Sequence, residues 1–218
     1  MVLTLPNGVR KLNAFNKGAT MASKDRVQRL KEETRSKILD VSLKIVKEDG
    51  WQALSIRKIA DAIDYSVPVV YDYFENKEAI LFEISMDGFR LLQEKLEAVI
   101  ILYDNPEEQI KALANAYWNF AFKHKEYYQL MYGLGMPCCG AGKMKPEVNA
   151  FNDFVYDAIQ QVIEKKKSDQ DEACFKTHAF WSVIHGLISI MIMRTSDITS
   201  TMNKKVMDDT VDAFIKNL

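Results

Sequence analysis

"SIRKIADAIDYSVPVVYDYFENKEAIL", residues 55–81, predicts two short helices joined by a tight turn. Ser55 stands at an N-cap position, and the apolar series behind it has helical spacing. That series is Ile56, Ile59, Ala60 and Ile63. Asp64 begins the break, because aspartate tolerates the left-handed backbone that a tight turn needs. Pro68 then fits the first turn of a second helix, where its missing N–H costs nothing.

This second helix is predicted to have an inner and an outer face. Val70 and Phe74 lie four residues apart and are expected to point at a core. The side chains left on the outer side or the flank are Val67, Pro68, Val69, Asp72 and Tyr73. So many apolar groups on the outside of so short a helix indicate a partner surface rather than water.

The surrounding sequence indicates that the partner is DNA. A helix predicted from Thr34 and ended by Gly50 precedes the pair. Residues 1–77 hold 14 Lys/Arg against 10 Asp/Glu, whereas residues 78–218 hold 15 against 20. Two short helices behind a bracing helix, in the basic part of the chain, predict a helix-turn-helix. Its second helix fits a major groove, where thymine methyl groups favour apolar side chains.

The candidate DNA-contacting residues follow from this placement. Those expected to face base edges are Val67, Pro68 and Val69, while Ser66 begins the reading helix. Those expected to anchor phosphates are Ser55, Tyr71, Tyr73 and Lys77, and Arg57 could reach either a base or a phosphate. Taken singly, Tyr71 could instead be a boundary-packing aromatic residue and Lys77 a solvated surface lysine.

The stretch "TRSKILDVSLKIVKEDGWQALSIRKIADAIDYSVPVVYDYFENKEAIL", residues 34–81, resembles the TetR family of transcriptional regulators. The resemblance is carried by Gly50-Trp51, by "IRKIA" and by "VVYDYFENKEAIL". It implies DNA-contacting roles for the candidates named above. Asp64 departs from the pattern, because the family usually has glycine there, and a strained or differently angled turn is one expectation.

The rest of the chain is similar to one ligand-binding branch of that family. The matching pieces are "AYWNFAFKHKEYYQLMYG" at residues 116–133 and "FWSVIHGLISIMI" at residues 180–192, with Trp181 followed by His185 and Gly186. This resemblance implies an all-helical domain that dimerises through its last two helices and encloses a small-molecule pocket. It also implies a repressor that a small apolar or amphipathic effector releases from DNA.

The residues themselves also indicate a ligand pocket and a dimer. Bulky rings crowd the body, and the candidate ligand contacts are Tyr117, Phe120, Met131, Phe154, Trp181 and His185, with core packing as the alternative for each. The segment 179–193 is apolar nearly all round and requires a second cover, for which a partner subunit is the natural choice. A second stripe in the last helix comprises Met207, Val211, Phe214 and Ile215. Two-fold symmetry would require a roughly palindromic double-stranded operator.

Other classes of function have weaker sequence signals. The three histidines share no metal-ligand spacing, and the chain has no nucleophile elbow, phosphate loop or paired acid motif, so no enzyme, metal or cofactor is predicted. Three cysteines without a repeated spacing and no apolar run of membrane length predict a cytoplasmic protein. The alternative is a DNA-binding regulator whose body senses redox state through Cys138 and Cys139 or binds a protein partner.

The predicted architecture is all-α with about nine helices. Residues 1–33 are expected to form an extension that is flexible or partly helical near its end. Residues 34–80 are predicted to form the DNA-binding domain, and residues 81–218 the ligand-binding and dimerisation domain.

Overall fold

The structure of the protein is a computed structural model that describes residues 8–133, 146–166, 172–193 and 200–218. Two compact units divide the chain, Met1–Ile80 and Leu81–Leu218. Every regular element in the described ranges is helical, which confirms the predicted all-α fold. Cys138 and Cys139 lie outside the described residues.

Nine α-helices are present in the described part of the chain. In the first unit they are α1 (Gly8–Asp49), α2 (Ile56–Ile63) and α3 (Val67–Tyr71), with a short 3-10 helix at Trp51–Ala53. Helix α4 (Lys77–Ile100) begins in the first unit and continues into the second. The second unit then contains α5 (Pro106–Lys123), α6 (Lys125–Met131), α7 (Pro146–Lys166), α8 (Ala173–Met193) and α9 (Ser200–Lys216).

The start of the first helix differs from the prediction. Helix α1 begins at Gly8, whereas apolar periodicity placed the helix start at Thr34. The segment "ASKDRVQRLKEE", residues 22–33, has no apolar stripe of the kind that packs against a core, but most of its residues are good helix formers. Intrinsic propensity can extend a helix beyond the part that a core stabilises, and periodicity does not detect such an extension.

Local capping explains the sharp ends of α2. The Ser55 hydroxyl accepts a hydrogen bond from the backbone N–H of Lys58 at 3.2 Å, so the predicted N-cap is present. At the other end Asp64 adopts the left-handed conformation, with φ 60° and ψ 40°. The backbone N–H of Tyr65 donates to the Ala60 carbonyl at 3.0 Å and closes the turn. Asp64 therefore supplies the conformation that the resemblance associates with glycine.

Asp64→Val is expected to destabilise the protein by about 1–2 kcal/mol, because a β-branched residue is poorly accommodated at positive φ. Asp64→Gly should change the free energy of unfolding by less than about 1 kcal/mol, since glycine reaches this conformation freely but is more flexible when unfolded. Urea denaturation of the three proteins would measure both changes. Equal stability of the valine and glycine variants would contradict a strained turn at this position.

Helix α5 lies at the centre of the second unit. It packs against α7, α8 and α9, and also against α6, which follows it in the chain. Its inward side chains Ile110, Leu113, Tyr117 and Phe120 are almost completely inaccessible to solvent. The predicted α9 stripe belongs to this same core, because Met207, Val211 and Ile215 are buried within the subunit and are not on its surface. That part of the predicted dimer contact is therefore wrong.

Candidate functional site

Helix α3 has the two faces that the sequence predicts. Val70 and Phe74 on the inner side are 0% and 4% exposed. On the outer side Pro68 is exposed, and Val67 and Val69 are half-buried. The outer face of α3 thus presents apolar groups that the first unit does not cover.

The polar DNA-contacting candidates on the N-terminal side of this face are all exposed to solvent. Ser55 and Arg57 are exposed, and Ser66 is exposed with no hydrogen bond from its side chain to the helix that it precedes. Ser66 therefore stands at the N-cap position of α3, but its hydroxyl does not cap the helix. Pro68 at the start of α3 has no N–H, which leaves fewer backbone donors for a cap to satisfy.

Aromatic and basic groups follow on the C-terminal side of α3. Tyr71 is 53% exposed, whereas Tyr73 and Lys77 are half-buried. The side chain of Asn76 accepts a hydrogen bond from the backbone N–H of Ala79 at 2.8 Å and caps α4, a role that the sequence analysis did not assign. This cap fixes the start of α4, and Lys77 is the first residue of that helix.

Two basic side chains of helix α1 contact the end of α2 and the residues that follow α2 and α3. The Arg35 guanidinium lies 5.0 Å from the centre of the Phe74 ring. The Lys37 ammonium donates to the Ile63 carbonyl at 3.0 Å and lies 5.6 Å from the centre of the Tyr65 ring. The Lys37 contact places a cation of α1 at the C-terminal end of α2, where carbonyl groups lack partners within the helix.

The second unit contains a buried polar cluster around His185. Nδ1 of His185 lies 2.7 Å from the Tyr128 hydroxyl and 3.1 Å from the Tyr117 hydroxyl, and its Nε2 lies 3.3 Å from the Ser189 hydroxyl. A consistent proton arrangement has Tyr128 donating to Nδ1 while Nε2–H donates to Ser189. Trp181 stacks on the imidazole at 4.6 Å between ring centres and 9° between planes.

Burial shifts the titration of this cluster. It raises the pKa of Tyr128 to about 12 and raises the pKa values of Tyr117 and Tyr132 strongly. The same loss of solvation lowers the pKa of His185 below its ordinary value of 6.5. The cluster is therefore a neutral hydrogen-bonded network at neutral pH, and its polar groups are satisfied from within the protein.

The six predicted ligand contacts separate into two groups. Tyr117, Trp181 and His185 come together in the cluster. Phe120 and Met131 are buried core residues, and Phe154 is a half-buried residue packed against the core. Tyr128, Tyr132 and Ser189 also belong to the cluster, although the sequence prediction did not single out any of them as a ligand contact. The spacing of four between His185 and Ser189 was the one available signal, since such residues share a helix face.

An open pocket of about 330 Å³ lies between α7 and α8. Its walls include Asn152, Asp153 and Tyr156 from α7 and Thr177, His178 and Trp181 from α8, and we refer to it as the α7–α8 pocket. Trp181 is the only one of the six predicted ligand contacts among the residues that line it. The volume lies at the lower end of the range for small-molecule sites.

Apolar side chains also remain exposed along one side of α8. Phe175, Val183, Ile190 and Met193 are 70%, 49%, 48% and 63% exposed and follow one another at intervals of eight, seven and three residues. Such intervals bring the four to a single face of the helix. Met202 and Val206 on α9 are similarly exposed at 62% and 44%. We refer to these six residues as the α8–α9 apolar stripe.

His185 is expected to make stability depend on pH. Because its pKa is lowered in the folded protein, the unfolded chain takes up a proton below pH 6.5 that the folded state resists. The free energy of unfolding should therefore fall as the pH is lowered from about 6.5 towards the folded-state pKa. His185→Gln, which keeps an acceptor for Tyr128, should lose this dependence.

Urea midpoints of wild type and variant at pH 7.5 and 5.5 would measure the effect. The control is His178→Gln, which removes an exposed histidine, leaves His185 in place and should retain the wild-type behaviour. An identical pH dependence in wild type and His185→Gln would show that another group is responsible.

The described part of the chain contains no helix long and apolar enough to cross a membrane. In the same ranges, histidine, cysteine and acidic residues do not form a group of three or more that could hold a metal ion.

Comparison with known proteins identifies one relative that spans most of the chain and others that span a smaller part of it. The nicotine-responsive transcriptional repressor HdnoR of Paenarthrobacter nicotinovorans is 22% identical over 189 residues, which are 83% of this chain and 93% of that protein. The transcriptional repressor KstR of Mycobacterium tuberculosis is 26% identical over 97 residues, 44% of each chain.

Solved structures share the fold. A protein of unknown function from Rhodococcus sp. RHA1 superposes with a TM-score of 0.69 at 21% identity and covers 84% of this chain and 94% of its own. The fatty acid degradation regulator FadR from Bacillus halodurans has a TM-score of 0.63 at 15% identity, with coverage of 84% and 95%. At these identities the likeness establishes the architecture only.

Two family descriptions match the two units of the chain. Residues 38–84 match "Bacterial regulatory proteins, tetR family", and residues 110–214 match "Tetracyclin repressor-like, C-terminal domain". Both describe regulators and not enzymes, which agrees with the sequence analysis. Together with repressors among its relatives, these matches establish that the chain belongs to the TetR family of bacterial transcriptional regulators.

Proposed function

We propose that this protein is a cytoplasmic, dimeric repressor that binds a palindromic operator and is released by a small-molecule effector. In this proposal residues 34–80 bind DNA, residues 81–218 dimerise and bind the effector, and residues 1–33 are an extension. The observation that carries it is the outer face of α3, where Pro68 is exposed beside half-buried Val67 and Val69. A major groove would cover these side chains and supply thymine methyl groups as partners.

The phosphate contacts in this proposal lie on both sides of α3. Ser55 and Arg57 would contact the backbone or a base edge from α2, and Tyr71, Tyr73 and Lys77 would contact phosphates on the far side. Ser66 would add its free hydroxyl at the start of α3. Such contacts fix the register on the duplex, while the apolar face of α3 distinguishes sequences.

Dimerisation is supported by the α8–α9 apolar stripe. Its four members on α8 are 48% to 70% exposed, and a second copy of the same stripe would remove them from water. A two-fold dimer of this kind would bring two reading helices to half-sites about 34–36 Å apart, one turn of the duplex.

Effector response is supported by the course of α4, which follows α3 in the chain, begins at Lys77 in the first unit and continues to Ile100 in the second. At Gly88 this helix approaches α6 so closely that a Cβ atom would lie 2.8 Å from Met131 Sδ and 3.0 Å from Tyr127 Cδ1. A shift of α6 would therefore push directly on α4. An effector changes the affinity for DNA only to the extent that it binds the two conformations differently.

The names of relatives point in the same direction. One relative is described as nicotine-responsive and a structural neighbour as a regulator of fatty acid degradation, so small molecules or their metabolism are the common theme. The relatives reported above do not favour the alternative of redox sensing through Cys138 and Cys139 or of a protein partner, and we do not carry that alternative forward.

Selection of bound oligonucleotides from a random double-stranded pool tests the proposal. The expected product is an inverted repeat with half-sites one duplex turn apart. Val69→Ala should change the order of preference among related sequences, because it removes apolar contact with base edges. Recovery of no enriched motif, or of one unrepeated half-site, would contradict a dimeric repressor.

A further inference from the structure

The α7–α8 pocket has a negative charge that the described residues leave unpaired. Asp153 lines the pocket, is exposed, and forms no ion pair within the described ranges. Around it, the pocket is lined by the polar side chains of Asn152, Thr177 and His178, and by no lysine or arginine among the described residues. A ligand with a positive charge would therefore meet a carboxylate without first displacing a competing lysine or arginine.

Two aromatic rings complete the walls. Tyr156 is 40% exposed and Trp181 is half-buried, and both line the pocket. The stack of Trp181 on His185, with 4.6 Å between ring centres, holds the indole in a fixed orientation. Aromatic faces attract cations, tryptophan most strongly, and they also accept the apolar part of an organic ligand.

We propose that the α7–α8 pocket is the effector site and that its effector is a small organic cation, held by the Asp153 carboxylate and by the rings of Tyr156 and Trp181. This rests on the proposed function, because it names the chemical class of the effector. A volume of about 330 Å³ suits a ligand of one or two rings bearing an amine or ammonium group.

The same geometry connects the pocket to the buried cluster. Trp181 has one role in the pocket wall and another in the stack on His185, which in turn contacts Tyr128 of α6 at 2.7 Å. A cation bound against Trp181 would therefore disturb the stack on His185 and, through it, the hydrogen bond to Tyr128 of α6. Helix α6 in turn contacts α4 at Gly88. Binding in the pocket and displacement of α4 thus share one series of contacts.

The experiment uses the full chain and three probes of similar size. Benzyltrimethylammonium carries a positive charge, benzyl alcohol none and phenylacetate a negative charge. Isothermal titration calorimetry without DNA should show binding of the ammonium compound and weaker or no binding of the other two. Asp153→Asn should weaken that binding by up to roughly fivefold, because an ion pair with an exposed carboxylate is worth up to about 1 kcal/mol.

Asp157→Asn is the matched control, since it removes a carboxylate one turn further along α7 that does not line the pocket. It should bind the ammonium probe like wild type. Trp181→Phe should weaken binding and retain the preference for the cation, because phenylalanine keeps a smaller aromatic face. Melting temperatures of all variants would verify that each is folded.

The outcomes separate this inference from the proposed function. Equal binding of phenylacetate, no binding of the ammonium probe at millimolar concentrations, or an unchanged affinity in Asp153→Asn would overturn the cation site. If the protein still binds its selected DNA, the proposed function is retained. Binding of the ammonium probe without release of that DNA would overturn the effector assignment. Failure to bind any DNA would contradict the proposed function, while calorimetry would still report on the pocket.

Discussion

The double variant Tyr71→Phe, Lys77→Ala is expected to bind every DNA sequence roughly a hundredfold more weakly than wild type. Tyr71, the last residue of α3, is 53% exposed, and Lys77 begins the helix that follows. In the proposed function both side chains contact phosphates. A hydrogen bond to a charged group is worth about 1.5 kcal/mol, and two such losses amount to about 3 kcal/mol. Phosphates are common to all sequences, so the ranking of operators should not change.

Fluorescence anisotropy at several salt concentrations would measure this change. Loss of one lysine contact should reduce the slope of log affinity against log salt by about 1. The matched control is Tyr103→Phe, Lys165→Ala, which makes the same chemical changes at exposed positions of the second unit. Wild-type affinity in the Tyr71 and Lys77 variant, or an equal loss in the control, would show that these residues do not contact the operator.

Features specified by neighbouring residues in the sequence could be predicted. The cap at Ser55, the turn at Asp64 and the inward pair Val70 and Phe74 each depend on a few adjacent positions, and the structure has all of them. The beginning of α1 could not be found in this way, because the prediction relied on apolar periodicity and the upstream part of α1 extends without it. Apolar periodicity detects helices that pack against a core, whereas the upstream part of α1 is helical because its residues have high helix propensity.

The body of the protein was harder to predict because its site depends on distant residues. Tyr117 and Tyr128 contact His185 although they are 68 and 57 residues away in the sequence. A local sequence pattern cannot predict contacts between residues so far apart. The sequence offered an excess of rings without showing which of them would meet polar partners. Likewise, the pocket charge at Asp153 had no distinguishing neighbour in the chain. Its role depends on α8, which packs against α7.

The α8–α9 apolar stripe leads to the second large expected effect. Ile190 is 48% exposed in the middle of the stripe. Val183 precedes it by seven residues and Met193 follows it by three. In a two-fold dimer built on this face, Ile190→Glu would place a carboxylate from each subunit in the apolar contact. Removing such unpaired charges from water costs about 3–5 kcal/mol. The dimer dissociation constant should therefore rise roughly a thousandfold.

Sedimentation velocity over a range of protein concentrations would measure the dissociation constant, and operator binding by the same samples would report the functional loss. Ile101→Glu is the matched control, since it makes the same substitution at an isoleucine that is 81% exposed and lies outside the stripe. If α8 and α9 form the interface, the control stays dimeric and binds the operator, while Ile190→Glu becomes monomeric and loses the affinity gained by holding two half-sites together. A dimeric Ile190→Glu protein would place the interface elsewhere, because two buried carboxylates cannot be accommodated in an apolar contact without that cost.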